Sequence, residues 1–326
     1  LTPLLWGHQG PGSQALFAGE GTDIINEVSI RDFVRFFESP AKYFLVNRLG
    51  ISLWQEDAPP PEHEPMSLDN LQKYGIKRSL LSTRLNEGQD INLYALEKAK
   101  GSLPPGSLGK VWFNDTAQEV DQFMGKWGDA LRGTYDRPLH FEAIFSGTRL
   151  VGEIDSILDG CQVLYRCGVT RPKDRLTTWI RHLIACTHES GPFRSRFFGM
   201  DKSNKFLSFR PVEPSIAEQI LSDLMEIFQA GTTRPIPFFP ASSYAYHKER
   251  MKSADPKDEQ SHASALALAR KEWESTDQSR GGPKEGESIE NITCFREDPI
   301  AQNEFPELAR KIFDPLILAQ LEEKEL

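Results

Sequence analysis

Cysteine is scarce in this sequence, and the few cysteines present do not form a metal-binding pattern. Among 326 residues there are 4 cysteines, and they do not stand at the short spacings that zinc ligands require. They are Cys161, Cys167, Cys186 and Cys294. Three of the four lie in apolar or helical surroundings, so we expect buried free thiols in a reducing compartment rather than a zinc site.

Long apolar runs are missing as well. Hydrophobic residues make up 39% of the chain, but no run approaches the roughly 18 residues of a membrane span or has the character of a secretory h-region. We therefore expect a globular cytoplasmic protein with no membrane contact, built as one large domain or two ordinary ones. The opening residues 1–21 begin with Leu1 and show no helical or strand period, which indicates a fragment of a longer protein.

Two common catalytic motifs are also lacking. The sequence has no G-x-S-x-G nucleophile turn and no G-x-x-x-x-G-K-[ST] phosphate loop, so any ATP-driven step would have to come from partners. Among the 7 histidines, His182 falls on a predicted helix. A single histidine on a helix is more often a packing or surface residue than a catalytic one.

Charge is distributed unevenly along the chain. The net charge is -9, yet residues 166–210, which we call the basic segment, carry 10 basic and 3 acidic side chains. Four phenylalanines are interleaved with them, a pattern that suits a nucleic-acid backbone with stacked bases; the alternative is a solvated helix face beside buried phenylalanines. The phenylalanines are Phe193, Phe197, Phe198 and Phe206. The candidate DNA-binding residues are Arg166, Arg171, Lys173, Arg175, Arg181, Arg194, Arg196, Lys202 and Lys205.

Apolar periods predict helices on both sides of a central group of strands. Ser29 is a candidate N-cap, and Pro40 should break the first helix. Further helices are predicted over residues 68–85, 92–100, 117–131, 173–187, 214–230, 244–252, 263–274 and 304–313. Between them, LHFEAIF, TRLVGEIDSIL and CQVLYRCGV predict three consecutive antiparallel strands, followed by strands in FRSRFFGM and FLSFRPV. This order indicates an α/β or α+β fold.

The most informative stretch is RLVGEIDSILDGCQVLYRCG, residues 149–168. Many DNA nucleases place an acid on one strand and an acid and a lysine on the next, and hold Mg²⁺ with the carboxylates. Here the first position is Asp155, but the second pair reads Leu164 and Arg166. Leucine cannot bind a metal, so we expect no catalytic or metal-binding residue, and structural or backbone-contacting roles for Asp155 and Arg166.

Three alternatives stay open at this point. A divergent active nuclease could borrow acids such as Glu142 or Glu153, and a pure protein-interaction domain would make no DNA contact at all. The tract RPIPFFP, residues 234–240, could be an extended ligand for a partner groove, or a loop anchored on the protein's own core by Phe238 and Phe239.

Four stretches together resemble the C-terminal region of the exodeoxyribonuclease V gamma subunit, the RecC family. They lie in the right order over nearly the whole chain: SIRDFVRFFESPAKYFLVNRLGI, LVGEIDSILDGCQVLYRCGVTRPKDRLTTWIRHLIAC, LSDLMEIFQAGTTRPIPFFPASSYAY and FPELARKIFDPLIL. The resemblance implies a PD-(D/E)XK restriction-endonuclease-like core, related to the nuclease of the companion beta subunit. Its active D-Y-K-T-G strand aligns with LYRCG, which puts the acid on Leu164 and the lysine on Arg166. The expected histidine is missing around LQKYGIKRSLL.

The expected division combines this resemblance with the predicted elements. Residues 1–28 are an irregular N-terminal segment. Residues 29–252 form the catalytically degenerate core, with a helical part at 29–132, a sheet part at 137–212 and a second helical part at 214–252. Residues 253–326 are a C-terminal helical extension with a mobile polar loop near 277–290.

For function, the resemblance implies a non-catalytic DNA-handling and scaffold domain of a bacterial helicase-nuclease, exodeoxyribonuclease V, in double-strand break repair by recombination. The domain would help to separate and guide the strands and take part in Chi recognition. The implied partners are the beta and alpha subunits, RecB and RecD, and single-stranded or forked DNA. Mg²⁺ and ATP are expected only in the partner subunits, so this domain would carry no cofactor.

Overall fold

The structure is a computed structural model. It describes residues 25–53, 67–86, 92–189, 191–201, 205–253, 258–274 and 284–323. Within these ranges it is a mixed α/β protein in which helices predominate and the strands form two small sheets, which agrees with an α+β fold. None of the described helices is both long and apolar enough to cross a membrane.

The helices begin and end where local chemistry allows. The Ser29 hydroxyl accepts a hydrogen bond from the Asp32 backbone N–H at 3.1 Å and so caps the first helix, while Pro40 starts a second helix after a break at Ser39. The helices are α1 (Ile30–Glu38), α2 (Pro40–Tyr43), α3 (Asn70–Leu85), α4 (Leu93–Ala99), α5 (Gly106–Leu131), α6 (Pro172–His188), α7 (Pro214–Thr233), α8 (Pro240–Arg250), α9 (Glu259–Trp273), α10 (Ile289–Cys294) and α11 (Glu304–Ala319).

The strands form a three-stranded sheet and a five-stranded sheet. They are β1 (Glu27–Ser29), β2 (Leu139–Phe145), β3 (Thr148–Ile154), β4 (Ile157–Leu158), β5 (Cys161–Tyr165), β6 (Arg194–Phe198), β7 (Phe206–Phe209) and β8 (Gln320–Glu323). The smaller sheet has the order β1-β3-β2, with β1 parallel and β2 antiparallel to β3. The larger sheet has the order β4-β5-β6-β7-β8, and only β5 and β6 pair in parallel.

The prediction of three consecutive antiparallel strands is correct for the first hairpin and, in the second hairpin, only for its short end, where β4 pairs antiparallel with β5. β2 pairs with β3 from Leu139 opposite Ile154 to Phe145 opposite Thr148, but β3 does not pair with β5. The chain instead bends at Ser156, where φ is 60°, and continues as β4 beside β5. The Val163 backbone N–H donates to the Ser156 carbonyl at 2.8 Å. Through this bend the chain passes directly from β3 of the small sheet to β4 of the large sheet.

Two apolar clusters enclose the five-stranded sheet. The first joins α1, α6, α7 and α11 to one face, which presents Phe197, Leu207 and Phe209. The second joins α3 and α5 to the other face, which presents Phe198 and Phe206. Because side chains alternate along a strand, neighbouring phenylalanines of β6 and β7 enter opposite clusters. A third cluster lies among α8, α9 and α11.

The C-terminal part of the chain returns to the main sheet. α11 contributes Ile312 and Phe313 to the cluster that contains α1, and β8 pairs with β7. Residues on both sides of residue 252 therefore pack into the same cluster and the same sheet. The division after residue 252 stays a prediction. Residues 284–290 include a short 3₁₀ turn, Glu285–Glu287, whereas residues 277–283 of the predicted mobile loop lie outside the described residues.

Two elements differ from their predicted bounds for packing reasons. α7 was predicted to end before Gly231 but continues to Thr233, because Gly231 makes room for a phenylalanine: a Cβ there would lie 2.3 Å from Phe36 Cζ. The tract at residues 234–240 lies on the protein's own core, with Phe238 and Phe239 buried. The structure thus favours a loop anchored on the protein's own core over an extended ligand for a partner groove.

Candidate nucleic-acid interface

Asp155 lies at the bend between the two sheets, where its carboxylate and its backbone carbonyl both have partners. Its carboxylate pairs with the Arg181 guanidinium of α6, and its backbone carbonyl accepts a hydrogen bond from the Gln162 side-chain amide at 3.2 Å. Gln162 is fully buried. These contacts connect the bend at Asp155 to both β5 and α6.

Leu164 packs against the apolar core. It lies on β5 opposite Phe197 of β6, and its half-buried side chain packs against the cluster that contains α1 and α6. An acid at this position would have to face apolar neighbours, where a carboxylate loses its hydration without a compensating partner.

Arg166 follows β5 directly and is turned toward α6. Its Nη1 atom lies 3.3 Å from Asp174 Oδ1, and both side chains are mostly buried, with 20% and 16% of their surfaces exposed. The guanidinium also lies 5.4 Å from the centre of the Tyr74 ring, an attractive cation–π geometry. Asp174 in turn accepts the Arg171 backbone N–H at 2.7 Å, at the start of α6.

One helix therefore satisfies both charged groups of the nuclease-like stretch. α6 supplies the cation that pairs with Asp155 and the carboxylate that pairs with Arg166. In a working metal site these charges would face a metal ion and a phosphate. Here Asp155 pairs with Arg181 and Arg166 pairs with Asp174, and both partners lie on α6.

The other acids considered from the sequence are also engaged. Glu142 lies 3.3 Å from Arg149, which also pairs with Glu27, and Glu153 lies 3.6 Å from His140. Within the described ranges, no group of three or more histidine, cysteine, aspartate or glutamate side chains is placed to hold a metal ion.

The candidate residues of the basic segment are spread over α6 and the five-stranded sheet. Arg171, Lys173 and Arg194 are exposed, whereas Arg175, Arg181, Arg196 and Lys205 are half-buried. Arg175 lies 5.3 Å from the Tyr244 ring centre and Arg196 lies 6.0 Å from that of Phe206. Lys202 lies outside the described residues. The structure thus separates a few solvent-facing cations from several that pack against the protein.

The phenylalanines of the basic segment do not offer stacking surfaces. Phe193, Phe197, Phe198 and Phe206 are all at most 5% exposed, because β6 and β7 lie between two apolar clusters. The alternative of buried core phenylalanines is therefore correct. Sequence reasoning gave no role to Tyr135 and Tyr165, which are 40% and 41% exposed. It also gave no weight to α3, which has four basic residues and no acidic one.

His182 is a buried link between α6 and the large sheet. Its Nδ1 atom lies 3.1 Å from the Ser195 hydroxyl and its Nε2 atom 3.0 Å from the Arg210 carbonyl. A carbonyl only accepts, so Nε2 carries the proton and Nδ1 accepts from the serine. Burial lowers the pKa of His182 to about 4, so the ring is neutral. The serine and histidine are both fully buried, which suits packing and not nucleophilic catalysis.

The fold and this arrangement define a class of protein: an α+β domain whose nuclease-like strand positions are engaged by its own helix. Residues 25–251 match the family model described as the RecC C-terminal domain. The chain belongs to this family. Sequence reasoning from four scattered stretches had reached the same family, and that prediction is confirmed.

Three curated relatives show how far the similarity extends. Each carries the name RecBCD enzyme subunit RecC. The protein of Escherichia coli K12 is 25% identical over 68% of this chain and 19% of its own length. The protein of Haemophilus influenzae Rd is 26% identical over 68% and 21%, and that of Mycobacterium tuberculosis H37Rv is 24% identical over 71% and 21%. The chain therefore spans about a fifth of the length of these relatives.

Proposed function

We propose that this chain is the C-terminal domain of a RecC-type subunit in a RecBCD-like DNA repair enzyme, and that it handles DNA without cutting it. Strand separation, strand guidance and a part in Chi recognition are the roles proposed for it, with RecB- and RecD-type subunits as partners in the cytoplasm. Metal and ATP chemistry would belong to those partners.

The observation that carries the proposal is the pairing of Asp155 and Arg166 with α6. A nuclease-derived PD-(D/E)XK core is the ancestry that we propose for this arrangement, with Leu164 and Arg166 in place of the acid and the lysine. Loss of the metal ligands leaves a surface that once accepted a phosphodiester, and binding can outlast cleavage. The exposed cations Arg171, Lys173 and Arg194 are the proposed contacts to the DNA backbone, since phosphate contacts supply most non-specific affinity.

A cleavage assay tests the first half of the proposal. The full chain is incubated with labelled single-stranded and forked DNA in Mg²⁺ and, separately, in Mn²⁺, beside an Asp155→Ala variant. We expect no metal-dependent cleavage from either protein. Cleavage by the unchanged protein that disappears in Asp155→Ala would overturn the proposal in favour of a divergent nuclease.

A reconstitution assay tests the second half. Arg171, Lys173 and Arg194 are changed together to glutamate in the subunit, which is then assembled with its partner subunits. We expect normal assembly but weaker processing of forked DNA. The deficit relative to the unchanged protein should be largest at low salt and shrink as salt is raised, because salt weakens the phosphate contacts that the variant has lost. The matched control is Arg31→Glu, an exposed change on α1. Unchanged processing by the triple variant would instead support a pure protein-interaction domain.

A further inference from the structure

A cleft of about 480 Å³ opens where the last turn of α5 meets the edge of the five-stranded sheet. Three arginines line it, Arg132, Arg194 and Arg196, together with two aspartates, Asp129 and Asp159. Its volume lies in the range of pockets that take whole small molecules. The cleft therefore has room for more than one side chain of a partner, and its charged lining favours a charged ligand.

Close packing fixes the α5 side of this cleft. Gly133 follows Arg132, and a Cβ there would lie 2.6 Å from the Leu158 Cδ1 atom, so the chain after α5 lies directly against β4. The Asp136 backbone N–H then donates to the Ile157 carbonyl at 2.8 Å. These contacts hold Arg132 at the edge of the sheet.

Arg194 and Arg196 enter the cleft from β6. They are two residues apart, so their side chains leave the strand on the same face, and they lie in register with Cys161 and Val163 of β5. Val163 belongs to the cluster that α3 and α5 cover, whereas the next residue, Leu164, packs toward the cluster that contains α6. The cleft therefore lies on the face of the sheet opposite α6.

The arginines of β6 are not neutralised by the acids around them. In the part of the chain that the structure describes, neither Arg194 nor Arg196 forms an ion pair, although two aspartates line the same cleft. Arg196 lies 6.0 Å from the centre of the Phe206 ring, and Arg194 is exposed. The Nη2 atom of Arg132 lies 3.5 Å from the Arg84 carbonyl. Three arginines against two aspartates leave the cleft net positive.

A nucleotide unit of an unpaired strand suits this set of groups. A guanidinium donates two parallel hydrogen bonds to a phosphate. A carboxylate only accepts hydrogen bonds, and an unpaired base presents N–H donors on its Watson–Crick edge. A glutamate-rich peptide would satisfy the arginines, but its ionised side chains offer no donor to Asp129 and Asp159. The aspartates therefore favour the nucleotide.

We propose that this cleft binds one nucleotide unit of single-stranded nucleic acid, with the phosphate at Arg194 and Arg196 and the base edge toward Asp129. The inference rests on the proposed DNA-handling function and gives it a definite place. Arg171 and Lys173 follow the end of β5, whereas Arg194 begins β6, which runs parallel to β5. The cleft thus lies at the other end of these strands from the exposed cations of α6.

The first test concerns the phosphate contact. Binding of the full chain to fluorescein-labelled single-stranded DNA of about 20 nucleotides is followed by anisotropy at several salt concentrations. The double variant Arg194→Gln/Arg196→Gln should bind about 10-fold more weakly, the equivalent of one charged hydrogen bond, and its salt slope should fall by about 0.7 for one lost phosphate contact. The double variant Arg194→Lys/Arg196→Lys keeps the charge and should keep the slope. Arg31→Gln, an exposed change on α1, should alter neither quantity.

The second test concerns the base contact and the place. An abasic strand of equal length should bind more weakly than the normal strand, and Asp129→Ala should narrow that difference. The half-buried Cys161 lines the cleft, so its alkylation by iodoacetamide, followed by mass spectrometry, should slow when DNA is bound. A glutamate-rich peptide of equal charge should neither compete with the DNA nor slow the alkylation.

The outcomes distinguish this cleft from the general function. If the unchanged protein binds DNA, but the glutamine double variant binds equally well and Cys161 is alkylated at the same rate, the cleft is wrong while the proposed function stands. If the peptide binds as tightly as DNA and protects Cys161, the cleft is a docking site for an acidic protein and the nucleotide is wrong. If Asp129→Ala leaves the preference over the abasic strand unchanged, the base contact is wrong. If the unchanged protein binds no DNA even at low salt, both proposals are overturned. Circular dichroism of each variant confirms that it is folded.

Discussion

The buried His182 should make the stability of this protein depend on pH in a calculable way. Neutral His182 joins Ser195 of β6 and the Arg210 carbonyl after β7, with both ring nitrogens satisfied. Protonation would place a charge in a fully buried site and would convert the nitrogen that accepts from the serine into a donor. The folded state therefore resists protonation, and its pKa falls from 6.5 to about 4.

The sign and size of the effect follow from linkage. As the pH falls below 6.5, the unfolded histidine binds a proton while the folded one does not, so the unfolded state is favoured. The loss continues until the pH reaches about 4, where the folded histidine also titrates. Between pH 7 and pH 5 the two pKa values imply a loss of about 2 kcal/mol in the free energy of unfolding, and the limiting loss at lower pH is about 3 kcal/mol.

Urea unfolding at pH 7 and pH 5 measures this difference directly. The variant His182→Gln removes the titrating ring, and it should be less stable at pH 7 because it loses buried hydrogen bonds. Its further loss between pH 7 and pH 5 should be about 2 kcal/mol smaller than that of the unchanged protein. Burial also lowers the pKa of His247, but His247 is present in both proteins and cancels. Equal losses in the two proteins would refute the reasoning.

Two further predictions concern packing. Asp174→Ala leaves the mostly buried Arg166 unpaired and removes the carboxylate at the start of α6, so chemical denaturation should show a loss of about 3 kcal/mol in the free energy of unfolding. Adding Arg166→Met should recover part of this loss. A loss of the same size in the double variant would contradict the pairing. Gly231→Ala brings a Cβ against Phe36 and should lower the stability measured by thermal unfolding by about 2 kcal/mol. The matched variant Gly125→Ala, on the open surface of α5, should raise it by about 0.5–1 kcal/mol. A Gly231→Ala protein more stable than Gly125→Ala would contradict the contact.

Local elements could be predicted from the sequence because their signals are local. The Ser29 cap, the break at Pro40 and the amphipathic pattern of α6 depend on residues within a few positions of one another. The first hairpin, β2 with β3, is a local signal of the same kind. The sequence predicts this helix from residue 117, whereas α5 begins at Gly106. Glycine is a poor helix former, so Gly106 and Gly109 weaken the helical signal there. Gly109 instead lies close against the Pro104 carbonyl, where a Cβ would be 2.2 Å away.

The pairing of strands that are distant in sequence could not be predicted in the same way. β5 pairs in parallel with β6 across the whole of α6, and β8 comes from the far end of the chain. These contacts join segments distant in sequence, so apolar alternation fixes each strand but not its neighbour. The same limit explains the phenylalanines of β6 and β7. Basic residues beside aromatic ones indicate a nucleic-acid surface, but apolar clusters cover β6 and β7 on both faces, so the phenylalanines of these two strands are buried.

The position of α6 determines the surroundings of Asp155, Leu164 and Arg166 in the stretch 149–168. Sequence comparison with an active strand makes Leu164 the decisive difference, because it removes a ligand. The structure adds that an acid at residue 164 would meet neighbours that are already engaged. Leu164 packs into the core, Arg181 holds the Asp155 carboxylate, and Asp174 holds Arg166. A metal site at these positions would require changes on α6 as well as on β5, and removal of Asp174 would leave the mostly buried Arg166 without its partner. The arrangement therefore stabilises the domain in the form in which we propose that it guides DNA.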